Sequence, residues 1–490
     1  GATIMTWEYN PDPYVTTNAW STGIGITFNQ KIKAGSGNIT LRETNSSGTV
    51  VENFGIGSSV TIAGNSLEFT PSSALGGRKV YYISLPSGVI TNMAGDSYVG
   101  TAYTFSTAAG TPALFVWGAN NTDNGNASGQ LGLNNGVSYS SPVQLPGSWS
   151  VLAGNLNQST GDYHYMGAIN TDGELFTWGT NYNGVLGQNQ SAPTRTSSPV
   201  QLGSDTTWTY IDIGGMNTAA LKTDGTLWSW GYASTTGANG ANEAVDRSSP
   251  IQVPGTSWAT GQGKVSVGNR AMLAVRTDGT LWTWGNNYQG QIGQNNQTKY
   301  SSPTQIPGTT WDISMGSLYY WSAASKTDGT IWTWGANGIG QLGLNDKTAY
   351  SSPVQVPGTD WKTGHGYWCS FSYGMLAIKT NGTLWGWGSN SNGYLAQNST
   401  AHHYSSPIQI GSDTTWNRVT ASARGMMATK TDGTLWTWGS AGDGNMGGML
   451  GQNNATEYSS PTQVGSESYW TSDQLSGVAF STFVMAEVTS

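Results

Sequence analysis

Apolar and polar residues alternate in short runs along most of the chain, with Gly, Asn, Asp and Ser between the runs. From about residue 112 these runs follow one grammar. An apolar run such as Ala271-Met-Leu-Ala-Val-Arg276 leads into Thr277-Asp-Gly-Thr280 and then into Leu281-Trp-Thr-Trp-Gly285. Asp-Gly between two such runs predicts a hairpin, because a tight primed turn needs φ > 0 at both central residues. The same turn is expected at Asp172-Gly173, Asp224-Gly225, Asp328-Gly329 and Asp432-Gly433, with Asn381-Gly382 in the sixth unit. A Gly-rich loop follows, ending in Gly-Gln-Leu-Gly or a variant, as at Gln130, Gln291 and Gln341. Ser-Ser-Pro-Val-Gln and a further Trp complete the unit.

The grammar is periodic. Trp-Gly recurs at Trp117, Trp178, Trp230, Trp284, Trp334, Trp387 and Trp438, every 50–61 residues, which defines seven units. The further Trp recurs with it, at Trp149, Trp208, Trp258, Trp311, Trp361, Trp416 and Trp470. Trp228, Trp282, Trp332, Trp385 and Trp436 stand two places before the Trp-Gly, where the first two units carry Phe115 and Phe176. Such aromatics are expected to be glue between units, since each buries a large apolar area. The first unit, Leu114-Phe-Val-Trp-Gly118, lacks an Asp-Gly hairpin, and the last residues, Thr482 to Val488, match the strand that should precede one. A C-terminal strand completing the first unit closes the ring and removes its open edge.

The Leu-Trp-x-Trp-Gly, Gly-Gln-Leu-Gly and Ser-Ser-Pro-Val-Gln series resembles the regulator-of-chromosome-condensation repeat over residues ~112–490. That resemblance implies a seven-bladed β-propeller. The family includes a eukaryotic nucleotide-exchange factor and secreted bacterial β-lactamase inhibitors, so the fold does not name a function.

Residues 1–108 read differently. Short alternating strands are predicted at Ile24–Phe28, Gly37–Leu41, Val60–Ile62, Leu67–Phe69, Val80–Leu85 and Tyr103–Phe105, with a hairpin at Gly64-Asn65. The stretches Phe28 to Ile39 and Gly88 to Asp96 resemble bacterial Ig-like domains of surface-layer and cell-surface proteins. The expected fold is therefore all-β: an Ig-like β-sandwich over 1–108, serving as anchor or spacer, and a seven-bladed propeller over 109–490. Ser106 to Pro112 reads as a short linker.

Composition narrows the function. The 490 residues carry only 9% charged side chains and a net charge of −8, with no Lys/Arg cluster. A nucleic-acid partner is not expected, because phosphate binding needs a basic stripe. Cys369 is the one cysteine, so no intrachain disulfide can form, and it is expected to be a buried thiol. No apolar run reaches the ~20 residues of a membrane helix, so no membrane insertion is expected. Gly1-Ala2-Thr3 shows neither an initiator Met nor a signal peptide, so the chain is read as processed or as a segment of a longer one.

No catalytic constellation emerges. The repeated Asp residues sit in hairpin turns, where Asp bonds its own backbone, and the arginines are scattered over different repeat positions. His402-His403 lacks the carboxylate or thiol support a metal would need. Asp123 and Asp443, in loops rich in Gly and Asn, do not match a calcium-loop spacing. No enzyme activity, metal or cofactor is expected.

Departures from the repeat mark candidate binding positions. Most units carry a small turn before the strand entering the hairpin, but three enlarge it with aromatics. These are Tyr163, His164 and Tyr165; Tyr319, Tyr320 and Trp321; and Tyr367 with Trp368. Equivalent loops in a closed propeller fall on one face, where flat aromatic rings with polar tips suit a glycan. The expectation is a non-enzymatic structural or binding protein, extracellular or on a virion surface. It would be displayed on a bacteriophage particle or appendage as tail fibre, adhesin or capsid decoration. Its partners would be other virion or surface-assembly proteins, copies of itself in a homo-oligomer, and host-surface glycan. Two alternatives remain open: a secreted bacterial adhesin or surface-filament subunit, and a propeller-type inhibitor of a secreted enzyme.

Overall fold

The computed structural model describes residues 7–8, 24–28, 30–72, 75, 80–106, 111–120, 129–154, 164–190, 194–268, 270–316, 320–371, 373–400, 402–422, 425–440, 448–468, 470, 475–477 and 481–488. The fold is all-β. The chain divides into two compact units, Gly1–Pro112 with Glu487–Ser490, and Ala113–Ala486.

In the N-terminal unit, one sheet orders Trp7–Glu8, Ile24–Phe28, Ser66–Phe69 and Val60–Ala63. The second orders Thr101–Ser106, Val80–Leu85, Asn38–Glu43 and Val50–Gly55. Alternation explains the core: Ile26, Phe28, Leu67 and Phe69 from one sheet meet Ile39, Leu41, Tyr81 and Ile83 from the other. Alternation does not predict the strand Val50–Gly55, because its Val50-Val51 pair breaks the pattern and both side chains are exposed.

In the second unit, the described residues form seven four-stranded sheets. The first blade orders Leu475–Gly477, Ser481–Val488, Thr111–Gly118 and Tyr139–Leu145, so the C-terminal strand does complete the blade begun by the first unit. Each later blade is a simple meander. The second, for example, runs Trp149–Gly154, Tyr165–Asn170, Leu175–Asn181 and Thr194–Gln201. The first strands of successive blades touch in an unbroken circle around a central channel.

The repeated residues hold one blade to the next. The indole Nε1 of the Trp-Gly tryptophan donates to the second carbonyl of the preceding blade's Gly-Gln-Leu-Gly loop. Trp178 reaches Gln130 at 2.9 Å, Trp230 reaches Val185 at 2.7 Å and Trp334 reaches Gln291 at 2.8 Å. Trp117 closes the ring on Met449 at 3.0 Å. Trp387 is the exception and makes no such bond. A second latch is complete. Seven asparagines after the Gly-Gln-Leu-Gly loops, from Asn134 to Asn453, take φ of 53–64°. Their amides donate to Ser carbonyls of the Ser-Ser-Pro strands next door at 2.7–3.2 Å, and Asn453 to Ser140 closes that circle.

The hairpins show why Lys-Thr-Asp-Gly-Thr-Leu-Trp recurs. In the third blade Asp224 accepts from the Thr226 amide at 2.9 Å and hydroxyl at 2.7 Å. Thr226 Oγ1 in turn accepts Trp228 Nε1 at 2.9 Å. Lys222 Nζ lies 4.6 Å from the Trp208 ring centroid and 4.4 Å from that of Trp228, a cation between two indoles. Arg276, Lys326, Lys379 and Lys430 repeat the sandwich in the next four blades. The second blade replaces the set together, with Asn170, Glu174 and Phe176. There the turn is tied instead by Asn170 Oδ1, which accepts the amides of Asp172 and Glu174.

The first glycine of each Gly-Gln-Leu-Gly loop is required by contact. A Cβ built on Gly129, Gly184, Gly237, Gly290, Gly340, Gly393 or Gly448 would lie 2.4–2.8 Å from a Ser of the next blade. Gly448→Ala would press on Ser140 Cα at 2.7 Å with φ at 90°. It should cost about 2–4 kcal/mol, overpacking added to backbone strain. Gly203→Ala, with φ of 68° and open space around it, should cost about 1 kcal/mol. Thermal unfolding of the two variants beside the parent checks this; equal losses would refute the contact argument.

Candidate functional site

The channel is narrowed from within. The second, third, fifth and seventh blades start their first strand at the repeated Trp itself, but the fourth and sixth insert a bulge after it. Ala259 donates to Val275 O, and Val275 donates back to Lys264 O, so residues 260–263 are pushed out of the ladder. Lys362, Ile378 and Tyr367 repeat this pattern around residues 363–366. Both bulges read Thr-Gly-x-Gly or its equivalent, Thr260 to Gly263 and Thr363 to Gly366, with matching φ of 104° and 72° against 107° and 78°. Each is pinned by the next blade: Ser314 donates to Gly263 O at 3.0 Å and Val419 to Gly366 O at 2.7 Å.

From the sixth blade's bulge, His365 reaches across the channel to Tyr210 of the third. Their ring centroids are 6.1 Å apart and nearly perpendicular. A cavity of about 130 Å³ remains beside them, lined among others by Asp212, Ser266, Cys369 and Ser370. Asp212 accepts the Val267 amide at 2.7 Å. Asp212 is partly exposed on the channel cavity, and burial pushes its pKa up to about 7 against the opposing pull of its hydrogen bonds. Burial also pushes the Cys369 thiol up, consistent with an inert buried cysteine.

Of the residues expected to bind, Tyr163 and Tyr319 lie outside the described residues, as do Asp123 and Asp443. Tyr165 is buried and its hydroxyl bridges to the third blade, at 3.2 Å from Gly214 O and 3.0 Å from Asn217 O. His164 is buried, and its carbonyl receives the Thr180 amide at 2.9 Å. Trp321 and Trp368 are each 1% exposed, leaving no face for a sugar ring. Tyr367 is half-buried, with the Arg418 guanidinium 4.0 Å from its ring centroid and Lys362 on it at 5.2 Å. Tyr320 alone of the described set is exposed, at 37%.

The third aromatic group is also not a loop. Trp368–Phe371 is the first strand of the sixth blade, and Tyr367 precedes it. It therefore sits at the opposite end of the channel from His164 and Tyr320, which end the turn after the first strand. The turn equivalent to theirs in the sixth blade holds Tyr373, which is 37% exposed. Counting back from Trp-Gly finds it: His164, Met216, Arg270, Tyr320 and Tyr373 each stand fifteen places before the Gly. Each offers its carbonyl to the residue just after that Gly, at 2.7–3.0 Å. These five residues form an arc around one mouth of the channel, one per blade.

Among the described residues no group of three His, Cys, Asp or Glu could hold a metal, and no helix is long and apolar enough to cross a membrane.

A closed ring of four-stranded blades, knit by indole and Asn–Ser latches, defines a β-propeller of the Trp-Gly repeat class. Residues 113–484 match the RCC1-like domain, and the chain belongs to that family. Residues 8–107 match a bacterial Ig-like domain, which points to a surface or extracellular protein. The chain is similar to the regulator of chromosome condensation of Mus musculus, 28% identical over 169 residues, 34% of this chain and 38% of that protein. It is similar to the ultraviolet-B receptor UVR8 of Arabidopsis thaliana, 26% identical over 178 residues, 36% of this chain and 39% of the receptor. The probable E3 ubiquitin-protein ligase HERC6 of Homo sapiens is 28% identical over 214 residues, 42% of this chain and 20% of the ligase. The matches thus span a fifth to two fifths of these relatives' lengths. Among solved structures, human WBSCR16 superposes with a TM-score of 0.63 at 18% identity, over 77% of this chain and 100% of that one. Prp20p of Saccharomyces cerevisiae superposes with a TM-score of 0.61 at 15% identity, over 77% and 92%. These likenesses show the fold.

Asp212 supplies a pH test of the channel. Its carboxyl ionises at 3.8 in the unfolded state and at about 7 when folded, so the folded chain holds the extra proton between those values. The stability of that neutral form is complete below pH ~4 and is lost as pH rises towards 7. Asp212→Asn should therefore leave stability nearly unchanged at pH 4 and raise it by about 2 kcal/mol at pH 8, less than the full shift because part of the residue is open to the channel. Urea unfolding of both proteins at the two pH values decides, and a pH-independent difference would show that the carboxyl is not held neutral.

Proposed function

We propose that the protein is a non-enzymatic binding and structural protein displayed outside the cell, on a bacteriophage particle or appendage. The Ig-like domain anchors or spaces it, and the propeller presents one channel mouth to a surface glycan. The observation that carries this reading is the pair Tyr320 and Tyr373, exposed at equivalent positions of adjacent blades beside the channel mouth. Two tyrosines there offer flat apolar rings with hydroxyl tips to a pyranose, and the latched ring holds them without an ordering cost on binding.

The non-enzymatic part follows from how the channel's polar groups are used. Asp212 is tied to the Val267 amide, His365 packs on the Tyr210 ring and the hairpin acids are tied to their own turns, which supports a non-enzymatic reading of the described residues. The nuclear and signalling roles in the relatives' names stay with those proteins. Yeast Prp20p binds Gsp1p and histones, whereas this chain has no basic stripe to meet a nucleic acid. The bacterial Ig-like match favours a second reading with the same chemistry, an adhesin on a bacterial cell surface.

A glycan-array screen of the intact chain beside the Tyr320→Ala/Tyr373→Ala double variant tests the proposal. Binding by the parent should fall at least tenfold in the variant while its near-ultraviolet tryptophan signal is unchanged. Failure of the parent to bind any glycan, or equal binding by both, would reject the mouth as a glycan site.

A further inference from the structure

We infer that the ligand at this mouth is an acidic saccharide, one whose carboxylate or sulfate is taken by Arg270. This deepens the glycan reading and rests on it.

Arg270 occupies the fourth blade's position in the arc, next to Tyr320 of the fifth and followed by Tyr373 of the sixth. Its situation differs from that of the propeller's ion-paired and indole-clasped cations, and is shared in part by Arg418, which lies on the Tyr367 ring at the other end of the channel. Lys222, Arg247, Lys264, Lys379 and Lys430 each pair with a carboxylate, at 2.5–3.1 Å. Arg276 and Lys326 are clasped between indoles. Arg270 has no carboxylate among the described residues. Its Nη2 faces the Met216 sulfur at 3.5 Å, a weak acceptor. Its Nε is enclosed with no acceptor. The guanidinium carbon lies 4.7 Å from the Tyr232 ring centroid, a cation–π contact. Asp246, near the same ring, accepts the amides of Ala233 and Ser234 on its Oδ1 at 2.8 Å each.

A guanidinium is a fork of five donors that matches a carboxylate or sulfate bidentately, and a half-buried one without an anion is left undersatisfied. The backbone adds a second observation. Arg270 and Tyr320 take φ of 62° and 61°, the left-handed region that large side chains avoid. Two adjacent blades thus spend conformational energy on placing an arginine and a tyrosine at this mouth. Strain of that kind is found at ligand sites, and here the same turn also supplies the carbonyl bonded by the residue after Trp-Gly. In a protein of net charge −8 an anionic ligand also needs a local cation to overcome the overall repulsion.

The test compares immobilised oligosaccharides in matched pairs: carboxylated against carboxyl-reduced, and sulfated against desulfated. The probes are read with the intact chain, Arg270→Gln, Arg270→Lys and the double tyrosine variant, each checked for a native melt. The intact chain should bind one class of acidic probe at least tenfold more tightly than its neutral partner, and the carboxylate and sulfate arms say which. Arg270→Gln should abolish that preference, and Arg270→Lys should retain part of it with a steeper salt dependence. Equal binding of acidic and neutral partners, or a preference that survives Arg270→Gln, overturns the acidic-ligand inference while tyrosine-dependent binding preserves the glycan reading. Absence of binding to every probe removes both. If Arg270→Gln does not fold, the paired probes on the intact chain decide alone.

Discussion

The structure depends on the fact that no blade can satisfy its own tryptophan. The Trp-Gly indole is fully buried, so its N–H must find an acceptor, and six of the seven find it on the preceding blade. A buried indole left without that carbonyl would cost about 1–3 kcal/mol per blade. The carbonyl is within reach only because the flanking glycine lets the loop lie against the neighbouring strand. The Asn–Ser latch adds a backbone bond across each of the seven joints. Closure follows from the same rule, since Trp117 and Asn453 can be satisfied only if the last blade meets the first.

That constraint decides where the chain is free to vary. Residues in the latches and hairpins are held by both neighbours, so their Trp, Gly, Asn and Ser recur. The turn after the first strand carries one obligation, a carbonyl for the residue after Trp-Gly, and any side chain can supply it. His164, Met216, Arg270, Tyr320 and Tyr373 differ in chemistry for that reason. The bulges are a second freedom: two blades lengthen the entry to the inner strand and fill the channel with His365 and Gly263. The scaffold therefore separates a repetitive mechanical rim from a variable mouth, as ligand-binding loops on rigid folds do.

Sparse charge is consistent with this arrangement. In the third to seventh blades a cation lies between two indoles, where the ring faces stabilise it. In three of them an Asp of the preceding connection also pairs with the lysine, Asp205, Asp360 and Asp413. Five of the propeller's fourteen cations are thus committed to clasping the first and third strands of their own blade. Arg270 stands outside that set, on a tyrosine ring instead.

Much of the fold is legible in the sequence because it is written in local terms. Asp-Gly sets a turn through its own dihedrals, alternation sets a strand face, and seven recurrences of Trp-Gly set the repeat and the completion of the first blade by Thr482 to Val488. Exposure is not legible. Tyr165, Trp321 and Trp368 look like Tyr320 in a string of residues, yet they point into the body of the propeller, because burial depends on what the neighbouring blade brings. The end of the channel is legible only by counting from Trp-Gly: Tyr367 and Trp368 resemble Tyr320 in chemistry, but their different distance from Gly388 puts them at the other mouth. Local pattern determined the blades, while the meeting of distant blades decided which side chains remain free, since solvent access is a property of the closed ring and of no single repeat.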